Sequence, residues 1–276
     1  MKAKRRALCV GINIFEHLPA ATLRGCVNDS QAMAGLLRER MGFARDEILL
    51  LNDAAATRDA VLKALREMID GALAGRYGYL VFSFSSHGTQ VPDLEGDERD
   101  NADEAFCTYD TAVKDDAWDR DHLIVDDELC CLAALVPKSC LFEVFMDACH
   151  SGTGLRAMDF IMDRHPRFLP PPSLQAFRQL ENANVRGWRE KCLECACHSQ
   201  VLWAACRSDQ TSADALIDGG WHGAFTHAFC SVMRSDTSRS LNRHQILQKV
   251  RAVLHGRYTQ TPQLECSPAQ RQAGWI

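Results

Sequence analysis

Residues 141–147 read Leu-Phe-Glu-Val-Phe-Met-Asp and run straight into Ala148-Cys149-His150-Ser151-Gly152. A segment this short, apolar on both alternating faces, has to be covered on both. That is the condition of a parallel strand held between helix layers. Residues 79–85, Tyr-Leu-Val-Phe-Ser-Phe-Ser, have the same form and end in Ser86-His87-Gly88. Loops at the carboxyl ends of such strands carry the chemistry of α/β sheets. A Cys and a His at the same end of two neighbouring strands can serve as a nucleophile and its base.

The rest of the chain supplies the covering layers. Strands are expected at residues 7–12, 48–51 and 201–206, with a short last strand at 262–266. Helical spacing of Ala32, Met33, Leu36, Leu37 and Met41 predicts a helix over 28–41, with Asn28 or Asp29 as its N-cap and Gly42 ending it. Val61, Leu62, Leu65, Met68, Ile69 and Leu73 form one stripe of a second helix starting at Thr57. Further helices are expected around 222–233 and 242–254. Strands alternating with helices predict an α/β fold, a mainly parallel central sheet flanked by helices on both faces.

At 276 residues, with 46% hydrophobic and 24% charged positions, the chain suits a single soluble domain. The net charge of −5 gives no footprint for nucleic acid, and no apolar run reaches membrane-spanning length. Residues 7–12 are too short for a signal-peptide core, so a cytoplasmic location is expected. Thirteen cysteines, an odd number, argue against a disulfide framework. Fifteen of the 36 carboxylates fall between 93 and 128, a density that has to be solvated or to hold a cation. Residues 160–189, with Pro166 and Pro170-Pro171-Pro172, show no clean period and read as a long exposed connection.

A thiol attacks carbonyls as the thiolate, and an imidazole can take its proton and return it to a leaving amine. Cys149 and His87 meet that requirement at corresponding strand ends. The loops of Gly88 and Cys149 could bring backbone N–H groups close enough to form an oxyanion hole. The alternative for each is structural: a buried thiol and a capping histidine.

Ser85-Ser86-His87-Gly88-Thr89-Gln90 and Asp147-Ala148-Cys149-His150-Ser151-Gly152 resemble the two catalytic motifs of metacaspases, caspase-like cysteine peptidases. Leu23-Arg24-Gly25-Cys26-Val27-Asn28-Asp29, Ile124-Val125-Asp126-Asp127-Glu128 and Asp209-Gln210-Thr211-Ser212-Ala213-Asp214-Ala215 extend the match in family order. No Pro-rich segment is expected ahead of them. The resemblance implies a caspase–hemoglobinase fold in one domain, residues 1–276: a large-subunit-like region 1–155, an exposed connection 156–198 and a small-subunit-like region 199–276. It implies His87 as base and Cys149 as nucleophile, with Cys26, Asp29, Ser85 and Asp147 lining the pocket for the residue before the cut. Two carboxylates there would favour Arg or Lys over Asp. Protein or peptide substrates with basic residues follow, cut in the connection by the enzyme itself or by a partner protease.

The resemblance also implies calcium ligands at Asp103, Asp126 and Asp127. The fourth ligand position falls on Arg156, so weak calcium binding is expected, with Asp159 as a substitute ligand or Arg156 as an internal cation beside Asp126 or Asp127. His150 is expected to orient its loop. Cys192, Cys195, Cys197 and His198 have ligand types but lack the separated pairs of zinc modules. Two rivals remain: a silent caspase-like scaffold, and a cysteine phosphatase, whose loop would need its Arg six positions after the Cys rather than at Arg156.

Overall fold

The computed structural model describes residues 4–92, 102–150, 164–173 and 200–275. Six strands form the central sheet: β1 (Arg5–Gly11), β2 (Ile48–Asn52), β3 (Tyr79–Ser85), β9 (Leu141–Asp147), β11 (Gln200–Ala204) and β14 (Gln263–Cys266). Their order is β14-β11-β9-β3-β1-β2, all parallel except the edge strand β14.

Alternation along each strand explains the two-sided apolar runs. Leu8, Val10, Leu80, Phe82, Phe84, Phe142, Val144 and Met146 face a core shared with α2 (Arg58–Leu73) and α3 (Asp126–Ala134). Ala7, Cys9, Val81, Phe145, Val201 and Trp203 face a second core under α1 (Cys26–Met41), α4 (Ala224–Ser235) and α5 (Arg243–Leu254). Glu143, in the middle of β9, is fully buried on this face. It accepts from Arg243 Nε at 2.9 Å, Tyr79 Oη at 2.7 Å and Trp203 Nε1 at 2.8 Å, which satisfies its charge.

The expected strands and helices stand within a few residues of their predicted ends, with three corrections. Helix α1 begins at Cys26 with Gly25 as N-cap, so Asp29 sits in the first turn and not at the cap. The helix expected around 222–233 runs over Ala224–Ser235, and a hairpin that was not expected leads into it, β12 (Ala213–Ile217) and β13 (Gly220–Gly223). Its turn, Asp218-Gly219, has φ of 52° and 84°, the Asp-Gly hairpin signature that could have located it. Where it is described, the connection is exposed only at Pro170 and Pro172. Arg164–Pro166 form β10, paired antiparallel to β12, and Arg167 is fully buried. Most of the connection, including Arg156, Asp159 and the Cys192, Cys195, Cys197 and His198 cluster, lies outside the described residues.

The described part of the acidic stretch, from Ala102 on, contributes β5 (Ala102–Cys107) and β8 (Leu123–Val125) to a small antiparallel sheet with β4 (Gly88–Pro92). A two-stranded ribbon, β6 (Val113–Lys114) with β7 (Ala117–Trp118), projects from it, and α6 (Pro268–Gln272) closes the chain. Among the described residues no helix is long and apolar enough to cross a membrane.

Candidate active site

Ser85 and Asp147 are direct register partners at the ends of β3 and β9. His87 and Cys149, each two residues further on, therefore leave the sheet side by side. Strand order reverses between β1 and β3, the position where open parallel sheets place their ligands. Backbone bonds hold the His87 loop: Ile12 N–H donates to the Ser85 carbonyl and Cys107 N–H to the His87 carbonyl, both at 3.0 Å.

The buried His87 ring packs against Phe15 and donates from Nε2 to the Ala21 carbonyl at 2.8 Å. That bond puts the proton on Nε2 and leaves the Nδ1 lone pair as the basic site. Nδ1 is buried and has no hydrogen-bond partner among the described residues. Burial lowers the His87 pKa to about 4, so the ring is neutral at pH 7. Cys149 is also buried, and burial, with Cys206 beside it, raises its thiol pKa well above the usual value. Its Sγ accepts from Ser212 N–H at 2.5 Å and lies 2.8 Å from the Cys206 Sγ. The resting pair is thus an uncharged thiol and a neutral imidazole.

His150 has a different task. Its Nδ1 donates to the Thr89 carbonyl at 3.2 Å, its Nε2 lies 3.6 Å from Glu104, and its ring stands edge-on to Phe106. These contacts tie His150 to β4 and β5.

What occupies the site is the chain itself. The Arg167 carbonyl accepts from Gly88 N–H at 3.0 Å and from Cys149 N–H at 3.1 Å, the two donors expected of an oxyanion hole. Gly88 is required for this approach, because a Cβ there would stand 2.2 Å from the Cys149 carbonyl oxygen. Arg167 N–H donates to the Ser212 carbonyl at 3.0 Å, extending the pairing of β10 with β12. Beyond Arg167 the chain continues along β4: Leu169 N–H donates to the Gly88 carbonyl at 2.9 Å and Thr89 Oγ1 to the Leu169 carbonyl at 2.7 Å.

The Arg167 side chain ends among three buried carboxylates. Nη2 meets Asp29 Oδ2 at 2.6 Å and Asp214 Oδ1 at 2.9 Å, while Nη1 meets Asp147 Oδ1 at 3.3 Å. A guanidinium with no solvent exposure is tolerated because the three carboxylates balance its charge and take its Nη donors, while its Nε has no hydrogen-bond partner among the described residues. Each carboxylate is held in place independently. Asp147 accepts from Thr226 N–H at 3.1 Å and Oγ1 at 2.7 Å in the first turn of α4, and from Ser212 Oγ at 2.6 Å. Asp214 accepts from Arg24 N–H at 2.8 Å and Gly25 N–H at 3.0 Å. Asp29 accepts from Gly223 N–H at 3.0 Å, and burial pushes its carboxyl up to about 6 against the opposing pull of Arg167. A Cβ on Gly223 would lie 2.3 Å from Asp147 and 2.5 Å from Arg167, so no other residue fits there.

Of the four residues predicted to line this pocket, Asp29 and Asp147 touch the guanidinium. Cys26 is buried next to them, and Ser85 adjoins Asp147 in the sheet with its hydroxyl unpaired among the described residues. Sequence reasoning gave no role to Asp214, Ser212 or Thr226. The first two lie in a motif that was recognised, but only the β12 pairing aims them at the pocket.

The predicted metal ligands also converge. Asp103 in β5 and Asp126 and Asp127 at the start of α3 present oxygens within 4.8 Å of one another. Arg120 Nη2 contacts Asp103 Oδ2 at 3.1 Å and brings a positive charge to this cluster. An all-carboxylate donor set, two members of it buried, suits calcium.

A parallel sheet between helix layers, with Cys and His at adjacent strand ends and an extended segment across them, defines a caspase-like architecture. The chain belongs to the caspase domain family, whose model matches residues 4–273. Within it the chain is similar to Metacaspase-1 of Pyricularia oryzae, 28% identical over 99% of this chain and 74% of that protein. Metacaspase-1A of Aspergillus niger is 32% identical over 96% of this chain and 70% of its own length. Among solved structures, protein GSU0716 from Geobacter sulfurreducens aligns with a TM-score of 0.68 at 25% identity, covering 98% of this chain and 97% of that one. Caspase-1 from Spodoptera frugiperda aligns at 0.58 and 11% identity, over 96% and 87% of the two chains, a likeness of fold.

Proposed function

We propose that this caspase-like protein is a cysteine endopeptidase that cleaves after Arg or Lys through Cys149 and His87. We further propose that it is latent until its own Arg167–Phe168 bond is cut. The observation that carries this reading is Arg167 itself, with its side chain among Asp29, Asp147 and Asp214 and its carbonyl between two N–H donors.

In this reading Sγ turns from Ser212 toward His87, whose Nδ1 takes the thiol proton. The thiolate adds to the carbonyl carbon, and the N–H groups of Gly88 and Cys149 receive the developing oxyanion. Collapse of the adduct breaks the C–N bond. The departing amine takes the proton from His87, leaving an acyl thioester on Cys149. Water, deprotonated by His87, then hydrolyses the thioester, and the proton returns to the sulfur. The self-cut leaves Arg167 as a new carboxyl terminus and Phe168 as a new amino terminus. Departure of the cut segment opens the pocket to other substrates.

A scan of fluorogenic peptides differing in the residue before the dye tests the preference on the cut enzyme. Arg and Lys peptides are expected to be turned over at least about a hundredfold faster than Asp peptides, since an acidic side chain would meet three carboxylates in a buried pocket. Equal turnover of Arg and Asp peptides would refute the pocket assignment.

Asp103, Asp126 and Asp127 would hold calcium when it binds, and the ion would offset the like charges gathered where β5 meets α3. Because Arg120 already supplies one positive charge, the expected affinity is weak, roughly 10⁻⁴–10⁻³ M. Isothermal titration measures this directly. Micromolar binding with complete loss of activity in chelator would contradict it.

A further inference from the structure

The docked segment carries a second basic side chain. Arg164, three residues before Arg167, places its guanidinium carbon 4.4 Å from the centre of the Tyr258 ring. The half-buried Tyr258 is held from behind, its N–H donating to the Leu254 carbonyl at 2.9 Å where α5 ends in a turn through Gly256. Between the two arginines, His165 turns to the other side of the strand and lies 5.6 Å from the Trp221 ring, which Arg24 covers at 4.6 Å. The pairing Arg164↔Ala215, His165↔Asp214 and Pro166↔Ala213 fixes this register, so Arg164 cannot slide along the groove without breaking the strand.

The geometry points to a second cation-recognition site on the enzyme: Tyr258 reads an Arg or Lys at the fourth residue before the scissile bond. Resting on the peptidase reading above, it makes the preferred substrate a peptide with two basic residues three positions apart. A cation facing an aromatic ring within about 6 Å of its centre is attracted by the ring's quadrupole, with Arg the more frequent partner. The ring sits on the rim of the groove, formed by the turn after α5 and not by the catalytic loops. Arg257 next to it and Asp218 in the β12–β13 turn both act electrostatically on the Tyr258 hydroxyl, with opposite signs. The ring face is the cation-attracting element that Arg164 meets.

Two measurements test this, one independent of catalysis. In full-length Cys149→Ala protein the docked segment should resist trypsin at Arg167, with the fragment starting at Phe168 followed by mass spectrometry. Arg164→Ala and Tyr258→Leu should each speed that cut about threefold to tenfold, while Tyr258→Phe, which keeps the ring, should match the parent. The double variant Arg164→Ala/Tyr258→Leu should be no faster than either single one. Independent, multiplying effects, or no effect of Tyr258→Leu, would overturn the site. The second measurement compares acetyl-Arg-His-Pro-Arg and acetyl-Ala-His-Pro-Arg aminocoumarins on the cut enzyme. The Arg peptide should have a kcat/KM about threefold to tenfold higher, a ratio that Tyr258→Leu removes and Tyr258→Phe keeps. Equal turnover of both peptides overturns recognition of substrates by Tyr258. Failure to cleave either one would instead sink the peptidase reading, leaving the trypsin result to judge the docking site.

Discussion

Cys149→Ala should yield a chain that folds, stays whole and never shows a new amino terminus at Phe168. Wild-type protein should split there on activation. The substitution removes one sulfur from a buried position whose backbone is already tied down by Cys149 N–H to the Arg167 carbonyl, so the docked segment has no reason to leave. What disappears is the only atom proposed to attack. Without a nucleophile, oxyanion donors and binding alone sustain a small residue of catalysis, and losses of at least about 10³-fold are normal for such removals. His87→Ala should match it, because the neutral imidazole is the group proposed to accept the thiol proton. Intact-mass measurement and terminal sequencing over time decide the point. A Cys149→Ala chain that still cuts itself at Arg167, or a wild-type enzyme fully active with the bond intact, would show that another group or no cut at all is responsible.

Removing one pocket carboxylate should cost nearly as much. Truncating one partner of a buried, hydrogen-bonded charge pair typically costs about 2–5 kcal/mol, which in rate is roughly 30-fold to several thousandfold. Asp147→Ala should stand at the upper end, because Asp147 also receives Thr226 and Ser212 and its loss loosens the start of α4. Asp214→Asn keeps the shape and removes only charge, so it should fall lower while still weakening Arg peptides more than it changes the turnover number. The pH dependence adds a separate signature. With burial raising Asp29 to about 6, self-cutting should decline as pH falls through about 6, where protonation removes one of three negative charges facing Arg167. His87, lowered to about 4 by burial, is still a neutral base there and does not account for that limb. Asp29→Asn should abolish the inflection near pH 6. An unchanged profile in that variant would reassign the limb, and unchanged kcat/KM in Asp147→Ala would remove the carboxylate pocket as the source of specificity.

The parts of this protein that were legible in its sequence are those governed by local physics. Apolar runs on both faces at 79–85 and 141–147 require cover on both sides, which made a parallel sheet predictable. The small residues after each run marked the loops that bear His87 and Cys149. The same residues also carried the family resemblance, and the family model matches residues 4–273. Helices with a clean stripe, such as α2, were readable because burial of one face imposes the period. The Asp218-Gly219 turn is an equally local signal, for the hairpin of β12 and β13.

Tertiary structure alone decided the contents of the site. Arg167 is one of several arginines in a proline-containing stretch without period, and nothing local distinguishes it from Arg164 or Arg178. It is selected because β12 offers an unpaired edge, β10 adds to that edge in one register, and that register delivers one side chain to Asp29, Asp147 and Asp214. Those carboxylates stand 185 residues apart in the chain at the extreme, and they converge only because α1, β9 and β12 end around one point. Sequence spacing carries no information about such a meeting. The same holds for the contact of Arg120 with Asp103; Arg156 lies outside the described residues. Periodicity determines which elements form, but the pairing of charges across elements depends on strand order and register, and these are properties of the folded sheet as a whole.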